Sequence, residues 1–315
     1  MGKLAFIFPG QGSQSVGMGL GLSESYPAAR DIFAQADRIL DRPLSRLMFE
    51  GPEAELLPTV NTQPALYVAS VAAYSVLISE TPLRPDAVAG HSIGEYAALY
   101  AADVFDFATG LGLVARRAEA MQSAASEAGG AMAAVLGLTA EAVRDICLET
   151  EASGAGIVDP ANYNSPGQVV ISGEADAVDA ASVLAKERGA KKVMRLNVSG
   201  AFHSRLMAKA AAAMEGVLAD AALKAPSVPI ITNVTADYTG DAEEIRRNLS
   251  AQIDHPVRWE ETLLKLSADG FDRFVEVGSG SVLSGLVKRT LQDVSYASFG
   301  NPADLEKVLK LGETA

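Results

Sequence analysis

Positive charge is scarce in this chain: 26 lysines and arginines stand against 39 aspartates and glutamates, a net charge of −13. That balance argues against non-specific binding of nucleic acid or of an anionic membrane surface. Cysteine is scarcer still. The one thiol, Cys147, can form no intrachain disulfide, so a reducing compartment is the simpler reading. Its setting, Val143-Arg144-Asp145-Ile146-Cys147-Leu148, has the pattern of a helix face and marks a core residue, not a nucleophile. Long apolar runs are missing too. The longest, Pro64 to Ile78, is interrupted by Ser70 and Ser75 and is shorter than the roughly 20 residues that span a bilayer. The opening residues lack the basic stretch and cleavage site of a secretory leader, and Phe6 stands where a myristoylation signal wants Ser or Thr. Internal repeats and low-complexity linkers are absent. The expectation is a soluble, cytoplasmic protein of one or two domains, with 49% hydrophobic and 21% charged residues over a length of 315.

What is present begins with Gly90-His91-Ser92-Ile93-Gly94, the only G-x-S-x-G in the chain. An apolar run, Ala87-Val88-Ala89, enters it, and a helix-compatible run, Glu95 to Tyr100, leaves it. This is the sequence form of a nucleophile elbow, in which a serine sits on a sharp strand-to-helix turn closed by flanking glycines. The turn also aims the backbone N–H after the serine, and the new helix N-terminus, at an oxyanion. The bland alternative is a glycine-rich turn with a solvent-facing serine.

Leu4 to Phe8 reads as a buried strand ended by Pro9-Gly10, and helical patterns follow at Ala28–Leu40, Pro64–Ile78 and Phe107–Gln122. Alternation of this kind favours a parallel sheet covered by helices on both faces. The rhythm then changes. Strands at Ala131–Leu138, Gly156–Pro160, Val169–Ser172 and Lys191–Val198, with helices at Glu141–Glu149 and Ala175–Arg188, give the order β-α-β-β-α-β of a ferredoxin-like unit. Gly129-Gly130 and Ser199-Gly200 bound it like hinges. The expected architecture is a large α/β domain, 1–128 and 199–315, with a small domain, 129–198, inserted into it. After the insertion come helices at Ser204–Leu218, Ala242–Ile253, Trp259–Ala268 and Ser281–Leu291, with a strand at Phe271–Val277.

An acyl-serine needs a base and an oxyanion hole. The chain has three histidines. His91 precedes the serine and leaves the turn in another direction, and His255 lies in a loop, Asp254-His255-Pro256. His203, where a strand gives way to a helix after the insertion, is favoured as the general base. The loop Gly10-Gln11-Gly12-Ser13-Gln14 is no dinucleotide fingerprint, because Ser15 stands where the third glycine belongs. In an elbow-type fold such a strand-end loop supplies one oxyanion N–H, here Gln11, with Ile93 supplying the other.

Several segments occur together and in order: Gly10-Gln11-Gly12-Ser13-Gln14, Asn61-Thr62-Gln63-Pro64-Ala65-Leu66, Gly90-His91-Ser92-Ile93-Gly94-Glu95-Tyr96, Asn162-Tyr163-Asn164-Ser165-Pro166-Gly167-Gln168, Gly200-Ala201-Phe202-His203-Ser204 and His255-Pro256-Val257-Arg258-Trp259. Together they closely resemble the malonyl-CoA:acyl-carrier-protein transacylases of fatty-acid synthesis and the related acyltransferase domains of polyketide synthases. The resemblance implies an α/β-hydrolase-like large domain with a ferredoxin-like insertion. It implies Ser92 as nucleophile, His203 as base, and Gln11 and Ile93 as oxyanion donors. It further implies that the backbone carbonyl of Gln252 orients His203, where a hydrolase uses an Asp. Arg117 matches the family arginine that grips the malonyl carboxylate, a task suited to a planar guanidinium. Phe202 matches the bulky residue that leaves no room for a 2-methyl group, and Gln63, His91 and Asn162 fall among substrate-contacting positions. Two departures, Ala118 after the arginine and Gly278-Ser279-Gly280 in a turn, leave the implied chemistry untouched.

The implied reaction moves a malonyl group from malonyl-CoA to the phosphopantetheine thiol of acyl carrier protein. Both thiol carriers are substrates, so neither cofactor nor metal is called for, and the carrier serves fatty-acid or, alternatively, polyketide synthesis. A serine hydrolase of the same fold and a catalytically idle carrier-docking module are the rival readings, and the implied Arg117 clamp argues against both. One basic stretch, Lys186, Arg188, Lys191, Lys192 and Arg195 around Glu187, offers a docking surface for an acidic carrier, or is simply a solvated helix end and edge strand.

Overall fold

The computed structural model describes residues 2–313. Its strands, in chain order, are β1 (Lys3–Phe8), β2 (Ala87–Gly90), β3 (Ala131–Leu136), β4 (Val158–Ser165), β5 (Gln168–Gly173), β6 (Lys192–Arg195), β7 (Ile230–Ile231), β8 (Tyr238–Thr239), β9 (Phe271–Val277) and β10 (Ser295–Phe299). In β1, Leu4, Phe6 and Phe8 join one apolar layer while Ala5 and Ile7 join another. A strand with apolar side chains on both faces must be covered on both. Accordingly β1 sits inside a sheet of order β10-β9-β1-β2-β7-β8, pairing in parallel with β2 and β9. Only the short β7–β8 pair at one edge is antiparallel.

The long helix Phe107–Ala128 ends at Gly129, and Gly129 and Gly130 both take left-handed φ values, 65° and 119°. The chain then forms a second sheet, order β4-β5-β3-β6 and antiparallel throughout. That order is the one a ferredoxin-like unit adopts. Alternation along β3 again decides the packing. Ala131, Ala133 and Val135 face the helices Ala140–Ala152 and Ala175–Glu187, whereas Met132 and Ala134 belong to the main core and face the large sheet's side. Cys147 is buried on the first of those helices, and burial pushes its thiol up to about 12.

Backbone bonds and an ion-pair cluster are among the contacts that fix this sheet over the larger one. The backbones of Ala161–Tyr163 and Val257 exchange hydrogen bonds, Tyr163 N to Val257 O at 2.9 Å and Val257 N to Ala161 O at 2.9 Å. At the return of the chain, Arg205 spans Glu151 and Asp159 (2.8 and 2.9 Å). Among the described residues no helix is long and apolar enough to cross a membrane.

Candidate active site

Gly90 ends β2 and Gly94 begins the helix Gly94–Ala101. Neither glycine is required for its φ. A methyl on Gly90 would lie 2.0 Å from the Gly94 carbonyl, and one on Gly94 would lie 2.1 Å from the carbonyl oxygen of Phe8. The requirement is close approach of backbone to backbone. Ser92, between them, has φ 52°, a conformation that costs a non-glycine residue about 1–3 kcal/mol and persists only where its surroundings dictate it. Asn233 supplies that constraint. Its Oδ1 accepts from Ser92 N (2.7 Å) and its Nδ2 donates to Gly90 O (2.6 Å), so one side chain staples both sides of the turn.

The Ser92 hydroxyl lies 2.7 Å from Nε2 of His203, which also has a left-handed φ, 58°. On the far side of the ring, Nδ1 lies 2.7 Å from the backbone carbonyl of Gln252. A carbonyl only accepts, so the proton is on Nδ1 and the Nε2 lone pair faces the serine. Burial, reinforced by the nearby Arg117 charge, pushes the His203 pKa down to about 3. The imidazole is therefore neutral at physiological pH, with its Nε2 lone pair on the serine hydroxyl.

Arg117 comes from the middle of the helix Phe107–Ala128 and has no exposed surface. Its Nη2 donates to the Ser92 hydroxyl (3.2 Å) and to Oε1 of Gln252 (2.8 Å). Its Nε and Nη1 are buried without a partner. The guanidinium centre lies 5.7 Å from the Tyr96 ring centroid, within cation–π range. Burial lowers its pKa, opposed by Tyr96 and Glu95. A buried cation with two idle donors is a costly arrangement by itself, and one suited to receiving an anion.

A cavity of about 380 Å³ opens onto Ser92 and His203. Gln11, Gln63, His91, Asn162 and Phe202 all reach it, as do Met132, Ala134, Val170 and Met194 from the small sheet. The His91 ring turns away from the serine: Nε2 lies 2.8 Å from Asn164 Oδ1, and the ring packs edge-on to Trp259. Gln63 is buried and donates to the Met121 sulfur (3.5 Å), leaving its Oε1 unpartnered. Among the described residues, no hydrogen bond uses the backbone N–H of Gln11 or of Ile93. The structure thus brings together the site residues expected from sequence. The basic stretch is exposed on the insertion, where Arg188 pairs with Glu149 and Arg195 with Asp179.

Two residues of the site escaped sequence reasoning. Asn233 follows a two-residue strand that has no pattern to read. Glu95 directly follows the elbow motif, but nothing in the sequence shows that its carboxylate reaches Gln252 Nε2 (2.8 Å) and Asn233 N (3.0 Å).

The acyl transferase domain model matches residues 5–305. The malonyl CoA-acyl carrier protein transacylase of Bacillus subtilis strain 168 is 44% identical over 310 residues, covering 98% of this chain and 97% of that protein. Among solved structures, the acyl-carrier-protein S-malonyltransferase of Burkholderia pseudomallei superposes with a TM-score of 0.94 at 40% identity, covering 98% of this chain and 99% of that one. A malonyl-transacylase in complex with its type II PKS acyl-carrier protein superposes equally well, with a TM-score of 0.94 at 41% identity over 98% of this chain and 99% of that one. The elbow, the buried arginine and the two-sheet architecture are those of a chain that belongs to the acyl transferase family, among its malonyl CoA-acyl carrier protein transacylases.

Proposed function

We propose that this chain transfers a malonyl group from malonyl-CoA to the phosphopantetheine thiol of an acyl carrier protein through an ester on Ser92. In the first half-reaction Ser92 Oγ attacks the thioester carbonyl carbon while its proton passes to His203 Nε2. The oxyanion takes the idle N–H groups of Gln11 and Ile93. The C–S bond then breaks, and CoA leaves as a thiol with the proton from His203. In the second, the carrier thiol gives its proton to His203 and attacks the ester, and Ser92 leaves with the proton returned. The imidazolium formed in each step is held by the Gln252 carbonyl, a neutral partner where a hydrolase places a carboxylate.

The observation that carries this reading is Arg117, wholly buried beside the serine hydroxyl with Nε and Nη1 unused. A malonyl carboxylate satisfies both donors, whereas an acetyl group leaves the charge unpaired. The chemistry asks for no resident cofactor, since CoA and the carrier's phosphopantetheine are substrates. The carrier's docking surface is the edge of the small sheet. Among the described residues Lys186, Lys191 and Lys192 make no ion pair, and β6, which carries Lys192, also contributes Met194 to the cavity wall. With its one thiol buried, the chain suits a reducing cytoplasm. The test is intact-protein mass spectrometry after incubation with malonyl-, methylmalonyl- and acetyl-CoA together. A malonyl adduct that carrier thiol removes is expected, and an adduct that only water removes would make the chain a hydrolase.

A further inference from the structure

Glu95 is as buried as Arg117 and has no place in the chemistry above. Its Oε2 accepts from Gln252 Nε2 and from the backbone of Asn233, and its Oε1 meets nothing. The Gln252 amide is the piece between the two charges. Its nitrogen faces two acceptors, Glu95 Oε2 at 2.8 Å and Ser92 O at 3.0 Å, and its oxygen faces Nη2 of Arg117 at 2.8 Å. Turned over, the same amide would set its N–H groups against the guanidinium, donor against donor. Which way it points decides whether Arg117 is held at the serine.

We propose that Glu95 is a positioning residue for acyl selectivity: its carboxylate fixes the Gln252 side-chain amide so that the amide oxygen holds Arg117 beside Ser92. A carboxylate accepts more strongly than the neutral carbonyl that shares the nitrogen, so it has the larger part in setting the orientation. Burial raises the Glu95 pKa to about 7, against the pull of these hydrogen bonds and of Arg117. A hydrogen-bonding role survives protonation, because one oxygen of the neutral acid still accepts. The inference rests on Arg117 as the carboxylate clamp.

The experiment measures kcat and KM for loading from malonyl-CoA and acetyl-CoA on the full chain. Arg117→Ala sets the baseline: if it leaves the malonyl-over-acetyl ratio unchanged, the clamp itself is wrong. Given a working clamp, Glu95→Asp withdraws the carboxylate from Gln252 and should lower the ratio about tenfold, the scale of one hydrogen bond to a charged group. The loss should fall on malonyl KM, with acetyl loading altered by no more than about twofold. Glu95→Gln keeps an oxygen for both donors and should restore the ratio. Gln252→Met should lower the ratio as Glu95→Asp does, and the double variant should lower it no further. Equal losses for both acyl groups in Glu95→Asp, an unchanged ratio, or additive effects in the double variant would each overturn the proposal. Should Glu95→Asp fail to fold, a Gln252→Met variant that keeps the wild-type ratio does the same.

Discussion

The reacting centre of the acyl site and the apolar patch of its cavity are built on opposite plans. On the large-sheet side Ser92, His203, Arg117, Gln252 and Asn233 are buried polar groups, each held by named partners at 2.6–3.2 Å. On the insertion side Met132, Ala134 and Val170 form an apolar patch of the lining, beside which Asn162, Asn164 and Gln168 add polar groups. A hydrogen-bonded centre fixes where charge is placed, and a change there strands a partner. An apolar patch fixes only volume, and a change there is absorbed by repacking or leaves a void. Chemistry belongs to the first and fit to the second.

That division can be broken at its strongest point first. Ser92→Ala should abolish the acyl adduct by mass spectrometry while melting near the wild-type temperature, and a stable malonyl adduct on the variant would remove Ser92 from its role. His203→Ala should slow loading and transfer by roughly 10²–10⁴-fold in stopped-flow assays, the range for a positioned acid–base. Arg117→Ala should narrow the malonyl-over-acetyl preference by about tenfold or more, weakening malonyl and relieving the penalty on acetyl in a competition assay. Full preference in that variant would move the clamp to Arg116, which is exposed and paired with Glu119.

The apolar side and its border should respond by volume. Phe202→Ser should admit methylmalonyl without equal gain for acetyl, because it opens space beside the base and leaves the clamp intact. Met132→Ala should lower stability by about 2–4 kcal/mol in denaturant melts yet leave malonyl loading within a few-fold of wild type. The smallest effect is an absence. Since His203 stays neutral down to about pH 3, loading should show no inflection at the free-imidazole value between pH 5 and 8. The same shift works on stability. A histidine whose folded pKa lies below its unfolded one is protonated more readily when unfolded, so its contribution is intact above about pH 6.5 and is lost as pH falls toward 3.

The elbow was legible because its glycines answer to backbone contact, which spacing alone reveals. The helix Trp259–Ala268 and the strand Phe271–Val277 run over the residues expected for them. Elsewhere a neighbour decided. The helix expected from Pro64 begins at Thr59, because the carbonyl of Val60, which a proline at 64 cannot serve, is taken by Arg42 Nη2 at 2.9 Å. The strand expected over Lys191–Val198 is confined to Lys192–Arg195, which pairs with Leu136–Ala133 of β3. The strand expected at Gly156–Pro160 instead runs Val158–Ser165, carried on by pairing to β5 and by the bridge to Val257. The Glu95–Gln252–Asn233 network left no trace in sequence, since it joins positions 138 and 157 residues apart.

One contact near the elbow bears on how such a site can change over generations. A methyl on Gly10 would sit 2.5 Å from the carbonyl oxygen of His91, whose N–H in turn bonds Phe8 O at 3.0 Å. The loop carrying Gln11 and the turn carrying Ile93 are therefore locked main chain to main chain and shift only as one body. The half-buried side chain at 11 can drift under mutation while the spacing of the two N–H groups stays inherited, whereas Ile93 is also held by the main core. On the proposed assignment, a lineage diverging from this chain would keep its oxyanion geometry and acquire new acyl preferences through the arginine, the phenylalanine and the methionines around it.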